Sequence, residues 1–330
     1  MSKRWYVSFA LPVAVLLAAC NGNNEDREAV LKAPPYNSLT DSIRQEPQNS
    51  GLYYRRAALL LKNGQAPLAE ADLRKAWALQ PEEQYGLGLS GLLAAKNPDS
   101  ALLFLQQATK TLPQSIALRI SQAKLLQEKN QPQQALAVCN AILAQYGAQL
   151  DALELKAALL QELKQPAEAL AVLEKAYSFA PSDAELAFNL AFQYAQAKNE
   201  KVLALSDSLI QKDATGRHAE PYYFKGVYFA NTGNDRRALE FFDEAIRHDY
   251  YFIDAYMEKG RLQYQHQQYP QALQTFQLAA TVSPTFADAY LWMGKVQQAT
   301  GNKEEAKLNY QRAYGLDKTL SEAKEAADKL

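Results

Sequence analysis

The sequence is poor in the residues that hold metals and carry nucleophilic chemistry. Its 330 residues include two cysteines, Cys20 and Cys139, and three histidines, His218, His248 and His266. The histidines are too far apart in sequence to form a metal-binding pair, and no H-x-x-x-H, C-x-x-C or phosphate-loop motif occurs. We therefore expect a non-enzymatic protein with no metal, no catalytic residues and no small-molecule cofactor.

An excess of charge of one sign is also lacking. The chain has 35 basic and 36 acidic side chains, which gives a formal net charge of −1. Proteins that bind nucleic acid carry an excess of lysine and arginine, because these side chains neutralise phosphates. We therefore expect no nucleic-acid partner.

One glycine cluster matches the spacing of a nucleotide-binding motif. Gly86, Gly88 and Gly91 spell G-x-G-x-x-G. The dinucleotide-binding motif of that spacing needs a strand before it and a helix that begins at the phosphates. Here the preceding segment is predicted to be a helix that ends at Pro81, and the glycines lie inside the next helix. The pattern therefore favours a weakened helix over a nucleotide site.

Between residues 219 and 318 one pattern occurs three times. Each copy has an aromatic residue, a glycine, an alanine, a second aromatic residue and a second alanine, and successive copies are offset by 34 residues. The copies are Tyr222, Gly226, Ala238, Phe242 and Ala245; Tyr256, Gly260, Ala272, Phe276 and Ala279; and Tyr290, Gly294, Ala306, Tyr310 and Ala313. Glycine in a helix interior costs about 1 kcal/mol, so its recurrence predicts two helices that approach closely.

This period and these residue types resemble the tetratricopeptide repeat (TPR). The resemblance implies an all-α fold, a right-handed α-α superhelix (TPR solenoid) of about eight helical hairpins over residues 36–330. In this frame a half-repeat covers 36–49, and repeats begin at about residues 50, 82, 116, 150, 184, 219, 253 and 287. A polar helix at 319–330 covers the last repeat. Positions within a repeat are counted from these first residues.

Turn residues fit the frame, and one repeat departs from it. Gly64, Gly233 and Gly301 lie at position 15, where the turn between two helices needs a residue that accepts a positive φ. In the fifth repeat Leu203 occupies the position of the second-helix alanine, and the rest of the second-helix pattern is lost. We expect altered packing and a bend of the stack at this repeat.

The first twenty residues have the order of a targeting signal. Lys3 and Arg4 precede an apolar run over 5–16, and small residues at 18 and 19 precede Cys20. The run is too short for a transmembrane helix. This arrangement resembles the lipobox of bacterial lipoproteins, which implies a cleaved signal peptide at 1–19 and lipidation of Cys20. A secretory signal with an unmodified cysteine is the alternative. The polar residues 20–35 predict a flexible tether.

The lipoprotein resemblance also implies a location in a Gram-negative cell envelope. Asn21, rather than an aspartate, follows the cysteine. By resemblance to enterobacterial sorting, this favours the outer membrane, with the protein facing the periplasm. The acidic residues Glu25 and Asp26 leave exposure at the cell surface as the alternative.

The TPR resemblance also implies where a partner binds. In TPR proteins, positions 2, 5, 9, 12 and 13 of the first helices line a concave groove that takes an extended peptide or a helix. The groove residues expected here are Phe188, Phe192, Tyr223, Val227, Met257, Arg261, Tyr264, Leu291 and Lys295. Aromatic residues, methionine and arginine are enriched at binding hot spots. The alternative is that these side chains only pack between neighbouring helices.

Together these observations predict a scaffold or adaptor that is held at the membrane by a lipid anchor. It would bind a segment of an envelope protein in the groove, within an outer-membrane assembly or secretion machine. Two alternatives stay open. A glycan-binding lipoprotein would use the tyrosines to stack on sugars, and a structural spacer would have no specific client.

Overall fold

The computed structural model describes residues 22–330, and side chains from residue 27 onward. Over that span the chain forms nineteen α-helices and no strand, which confirms the all-α prediction. The described part of the chain divides into two compact units, one that ends at Leu155 and one that begins at Lys156. Within each unit, neighbouring helices pack as hairpins.

The helices of the first unit form three complete hairpins, preceded by two further helices. They are α1 (Gly22–Lys32), α2 (Asn37–Gln45), α3 (Ser50–Lys62), α4 (Ala66–Leu79), α5 (Glu83–Lys96), α6 (Pro98–Thr111), α7 (Ile116–Glu128) and α8 (Pro132–Gln145). The boundary between the units falls inside α9 (Leu150–Glu162).

The second unit contains four complete hairpins and a terminal helix that packs on the last of them. Its helices are α10 (Pro166–Phe179), α11 (Ala184–Gln196), α12 (Lys201–Lys212), α13 (Glu220–Asn231), α14 (Asp235–His248), α15 (Ile253–Gln265), α16 (Tyr269–Val282), α17 (Ala287–Ala299), α18 (Lys303–Leu316) and α19 (Ser321–Lys329).

The turns inside the hairpins have the backbone geometry that the sequence predicts. Gly64, Gly233 and Gly301 have φ angles of 73°, 79° and 84°. The corresponding turns without glycine place a polar residue in the same left-handed region, at φ between 56° and 58°: Asn130, Lys164, Lys198 and Gln267. Proline at the first or second residue of α4, α6, α8, α10, α13 and α16 fits the helix starts, where its missing N–H costs nothing.

Three hairpins of the second unit hold an aromatic ring directly against a glycine. A Cβ atom at the glycine would come within 2.5, 2.5 and 2.7 Å of ring carbons in the pairs Gly226 with Phe242, Gly260 with Phe276 and Gly294 with Tyr310. All three rings are buried. The glycines are therefore required by the close approach of the two helices, as the sequence predicts.

Positions 8 and 24 exchange volume from hairpin to hairpin. In three hairpins position 8 is alanine and the buried residue sixteen positions later is no larger than leucine, whereas in the three glycine hairpins that residue is aromatic. The fifth repeat does not follow this pattern, because the residue sixteen positions after Ala191 is the exposed Asp207. The alanine pairs are Ala57 with Leu73, Ala123 with Cys139 and Ala157 with Leu173, all of them buried. A smaller residue at position 8 thus accompanies a larger one at position 24.

The second helix of the fifth repeat differs from its prediction by one residue. Its buried positions are Val202, Ser206 and Leu209, at the spacing that the two alanines and the aromatic residue have in other repeats. Val202 therefore takes the place predicted for Leu203, which is only partly buried. This helix, α12, begins only one residue before Val202, whereas α14 begins three residues before Ala238.

The segment predicted to be a flexible tether, 20–35, is helical over Gly22–Lys32. Val30 and Leu31 pack against the core of the first unit. The hydroxyl of Thr40 donates a 2.7 Å hydrogen bond to the carbonyl oxygen of Leu31. The tether prediction is therefore wrong for this stretch, because two apolar residues near its end give the helix a surface to pack on.

A buried ion pair joins the same region to the first hairpin. The Arg56 guanidinium donates two 2.7 Å hydrogen bonds to the carboxylate of Asp72 and a third, 2.9 Å long, to the Thr40 hydroxyl. The two charged side chains are 7% and 8% exposed. Through Thr40 and Leu31, one polar network connects α1, α2, α3 and α4.

The glycines of the G-x-G-x-x-G sequence lie inside α5, and α4 rather than a strand precedes them. A Cβ atom on Gly86 would come within 2.9 Å of Trp77 and 3.0 Å of Leu118. One on Gly88 would come within 3.3 Å of Leu73. Two of the three glycines thus face neighbouring helices closely, where no phosphate would fit.

Candidate functional site

The nine predicted groove residues all lie on four first helices of the second unit, α11, α13, α15 and α17. Three of them are buried: Val227, Met257 and Leu291 are 6%, 2% and 4% exposed. Met257 and Leu291 belong to the hydrophobic clusters of their hairpins. The prediction that these three contact a partner is corrected, because their surfaces are already covered by neighbouring helices.

The other six predicted residues are partly exposed, and together with the partly exposed Trp292 they form what we call the first-helix face. Phe224 is buried beneath this face. The six are Phe188, Phe192, Tyr223, Arg261, Tyr264 and Lys295. Their side chains fall into two groups along the face.

The first group is built around Phe224. Its ring centroid lies 6.3 Å from Phe188, 5.8 Å from Phe192 and 6.0 Å from Tyr223. Tyr223 also packs edge-on against Phe252 at 5.2 Å. These contacts hold aromatic rings from α11 and α13 in fixed positions at the surface.

The Tyr223 hydroxyl lies in a site that disfavours its ionised form. Burial raises its pKa above the ordinary value, and the nearby carboxylates of Glu258 and Asp254 raise it further, while Arg261 acts in the opposite direction. The neutral hydroxyl is therefore available as a hydrogen-bond donor at every physiological pH.

The second group is built around Trp292. Tyr264 packs edge-on against it with ring centroids 5.5 Å apart, and Phe276 stacks on it at 5.7 Å. Two cations lie over the indole, with the Arg261 guanidinium 5.5 Å and the Lys295 ammonium 4.6 Å from the ring centroid. Cation–π contacts of this kind stabilise by about 0.5–1 kcal/mol each at exposed sites.

Sequence reasoning missed Phe224 and Trp292. Both occupy position 6 of their repeats, next to the groove position 5, and both reach residues of the preceding first helix. Phe224 contacts Phe188 and Phe192, and Trp292 contacts Tyr264. A large aromatic at position 6 in two of three clean repeats is the signal that could have identified them.

Other predictions concern chemistry and anchoring. Cys20 and the signal peptide at 1–19 lie outside the described residues. Cys139 is buried in the core. Across residues 22–330 no three acidic, cysteine or histidine side chains are grouped so that they could hold a metal ion. None of the described helices has the length and apolar character needed to cross a bilayer.

Comparison with known proteins agrees with the repeat frame. A tetratricopeptide-repeat model matches residues 150–183 and 287–320, and a second TPR repeat model matches residues 254–301. No protein of curated function matches the chain.

Solved structures that are similar to the chain include the following two. A tetratricopeptide repeat protein from Parabacteroides merdae has 17% identity and a TM-score of 0.57, and the match covers 85% of this chain and 98% of that one. PilW, described as a widely conserved type IV pilus biogenesis factor, has 20% identity and a TM-score of 0.50 over 62% of this chain and 94% of its own. The chain therefore contains tetratricopeptide repeats and has the fold of a TPR solenoid.

Proposed function

We propose that this TPR chain is a non-enzymatic protein-binding scaffold whose first-helix face captures a segment of a partner protein. One observation carries the proposal. Partly exposed aromatic side chains follow one another across four successive first helices, from Phe188 on α11 to Trp292 on α17. Contiguous aromatic surface that remains exposed on a folded protein marks an interaction site.

The aromatic rings suit binding because they are already ordered. The rings of the face pack against other aromatic rings. Tyr264, for example, packs against Tyr269 and Trp292, with ring centroids 5.5 Å apart in both pairs. Fixing a flexible side chain on binding costs about 0.5–1.5 kcal/mol, and rings held in advance avoid much of that cost. The face can therefore gain affinity from a small number of contacts.

The proposal includes an anchor and a location. Lipidation of Cys20 would attach the chain to the outer membrane, facing the periplasm. The support is the order of charged, apolar and small residues before Cys20. PilW, which has the same fold, is described as a pilus biogenesis factor. We place this chain in an envelope assembly or secretion machine of that general kind.

The decisive experiment is photocrosslinking in cells with the full lipidated protein. A photoreactive residue at Tyr264 would report on the first-helix face, and one at Leu308 would serve as the control. Leu308 lies on α18, a second helix, and is 59% exposed. We expect one dominant protein adduct from position 264 that position 308 does not give.

The same partner should be lost when Tyr264 is truncated. Tyr264→Ala removes packing against Tyr269 and Trp292, both of which are partly exposed, whereas Tyr223→Ala would remove packing against the fully buried Phe242 and is less suitable. Unchanged partner recovery by a folded Tyr264→Ala protein would exclude the face. Glycan adducts at position 264 would instead favour a glycan-binding protein, and the absence of any adduct would favour a spacer.

A further inference from the structure

The basic side chains of the four first helices are all engaged with carboxylates. Helix α11 has none, and α13, α15 and α17 have four between them. Lys225 pairs with Asp207, Lys259 with Asp243 at 2.5 Å, Arg261 with Glu258 at 2.6 Å and Lys295 with Glu322 at 2.8 Å. No cation on these helices is left to meet an acidic partner.

Three acidic side chains of the same helices are not neutralised in this way. Glu185, Asp254 and Asp288 make no ion pair with any of the described residues, and all three are at least partly exposed. They occupy position 2 of repeats five, seven and eight, in the first turn of α11, α15 and α17. The first-helix face therefore combines partly exposed aromatic rings with acidic side chains that no cation of these helices neutralises.

One of these position-2 carboxylates acts directly on an aromatic side chain of the face. The charge of Asp254 acts on the hydroxyl of Tyr223, which is at position 5 of the preceding repeat. Glu322 on α19 comes 2.8 Å from Lys295, at position 9 of the preceding first helix.

A negative charge in a first turn stabilises any helix. In the second unit the first helices α11, α13, α15, α17 and α19 all have an acidic residue there, and so do the second helices α10, α14 and α18. It is the complete pairing of the cations on the first helices, and not the number of acidic residues, that leaves this face negative.

We infer that the occupant of the first-helix face is an extended, basic segment of a protein, with lysine or arginine side chains directed at position 2 and apolar side chains on the rings. This inference rests on the proposed function and adds the chemistry of the partner. Neighbouring helices pack about 8–10 Å apart, and an extended chain advances about 3.3 Å per residue. One basic residue in about every three would therefore match the repeat of the acidic side chains.

The test uses defined peptides and the full-length protein in a non-ionic detergent. The probe is a labelled peptide of about twelve residues, enough to cross four repeats, with lysine at every third position and tyrosine and alanine between. Its counterpart has glutamate in place of each lysine. Fluorescence anisotropy should show tighter binding of the lysine peptide, and its affinity should fall as sodium chloride is raised, because salt screens exposed charges.

A variant that lacks two acidic side chains of the first-helix face tests their part in binding. Asp254→Asn with Asp288→Asn should weaken binding of the lysine peptide by about three- to tenfold, since exposed ion pairs contribute modestly. The matched control is Glu304→Gln with Glu305→Gln, which removes the same charge from the first turn of α18. That control should leave the affinity unchanged.

Two results would overturn the inference. The first is that the lysine peptide binds no more tightly than the glutamate peptide. The second is that the protein with Asp254→Asn and Asp288→Asn binds the lysine peptide as tightly as the unmodified protein does. Either result would leave the proposed function standing if the crosslink at Tyr264 still captured one partner. Loss of that crosslink as well would remove both.

Discussion

The ring of Phe276 lies so close to Gly260 that a methyl group on the glycine would come within 2.5 Å of Cε1 of the ring. Real side chains do not tolerate such a distance, and the ring is fully buried with no room to withdraw. The distance between α15 and α16 is therefore limited by the contact of the Gly260 backbone with the Phe276 ring.

Gly260→Ala should therefore destabilise the protein. Overpacking costs about 1–3 kcal/mol, and the better helix propensity of alanine returns about 1 kcal/mol. We expect a net loss of up to about 2 kcal/mol in the free energy of urea unfolding. Gly91→Ala is the control, because Gly91 lies inside α5 with nothing within 4 Å of an added Cβ. It should stabilise by up to about 1 kcal/mol, and equal effects of the two changes would refute the steric account.

The ion pair of Arg56 and Asp72 should show strong coupling. Asp72→Leu or Arg56→Met alone leaves one buried charge without its partner, which costs about 3–5 kcal/mol. The double variant removes both charges and should recover most of that loss. A double-mutant cycle by chemical denaturation measures the coupling, and additive losses would mean that the pair contributes nothing as a pair.

Ser206→Ala should stabilise the protein. The Ser206 hydroxyl is fully buried and has no hydrogen-bond partner among the described residues, so its desolvation is not compensated. Removing it should gain about 1 kcal/mol in thermal or urea unfolding. Thr275→Val is the control, because the Thr275 hydroxyl donates a 2.7 Å hydrogen bond to Gln263. Thr275→Val should destabilise the protein. If both substitutions changed the free energy of unfolding in the same direction, the Ser206 hydroxyl would not be the unsatisfied group that we describe.

Stability should fall above pH 10. Burial raises the pKa of Tyr256 and of Tyr310 to about 12, and nearby Tyr250 and Tyr264 add to the two shifts. Unfolded tyrosine ionises near pH 10, so between about pH 10 and pH 12 the unfolded chain loses protons that the folded chain keeps. The stabilisation is complete below pH 10 and is lost as pH rises through 12. Melting temperatures from pH 8 to 11.5 should decline, and less steeply for Tyr310→Phe; identical slopes would contradict the shift at Tyr310.

Cys20→Ser should release the protein from the membrane fraction. If Cys20 is the lipidated residue, serine cannot carry the thioether-linked lipid, and metabolic labelling with a radioactive fatty acid should disappear. Cys139→Ser is the control, since Cys139 is buried and should leave labelling unchanged. Persistent labelling of the Cys20→Ser protein would disprove the anchor.

The sequence predicts the hairpin interior well because its signals are local. Gly260 and Phe276 are only sixteen residues apart, and their contact depends on the two helices of one hairpin and the turn between them. The register of α12 was missed by one residue because Leu203 and Val202 are equally apolar, and only packing decides which of them is buried.

The candidate site was harder to predict because it depends on neighbouring repeats. Met257 and Leu291 occupy position 5 of their repeats, as Tyr223 does, yet adjacent helices cover them. Trp292 lies one position away from those expected to face a partner and still reaches Tyr264. The way one repeat rests on the next determines exposure, and no pattern within a single repeat contains that information.

The exchange of volume between positions 8 and 24 also restricts how such a sequence can change over generations. A lineage that converts the Gly260 and Phe276 pair into the alanine and leucine type must make two substitutions. Phe276→Leu first opens space that alanine then fills, whereas the reverse order passes through a steric clash. The effect of either substitution thus depends on whether the other has already occurred. Because the ring lies against the glycine, the substitution of Phe276 is expected to precede that of Gly260.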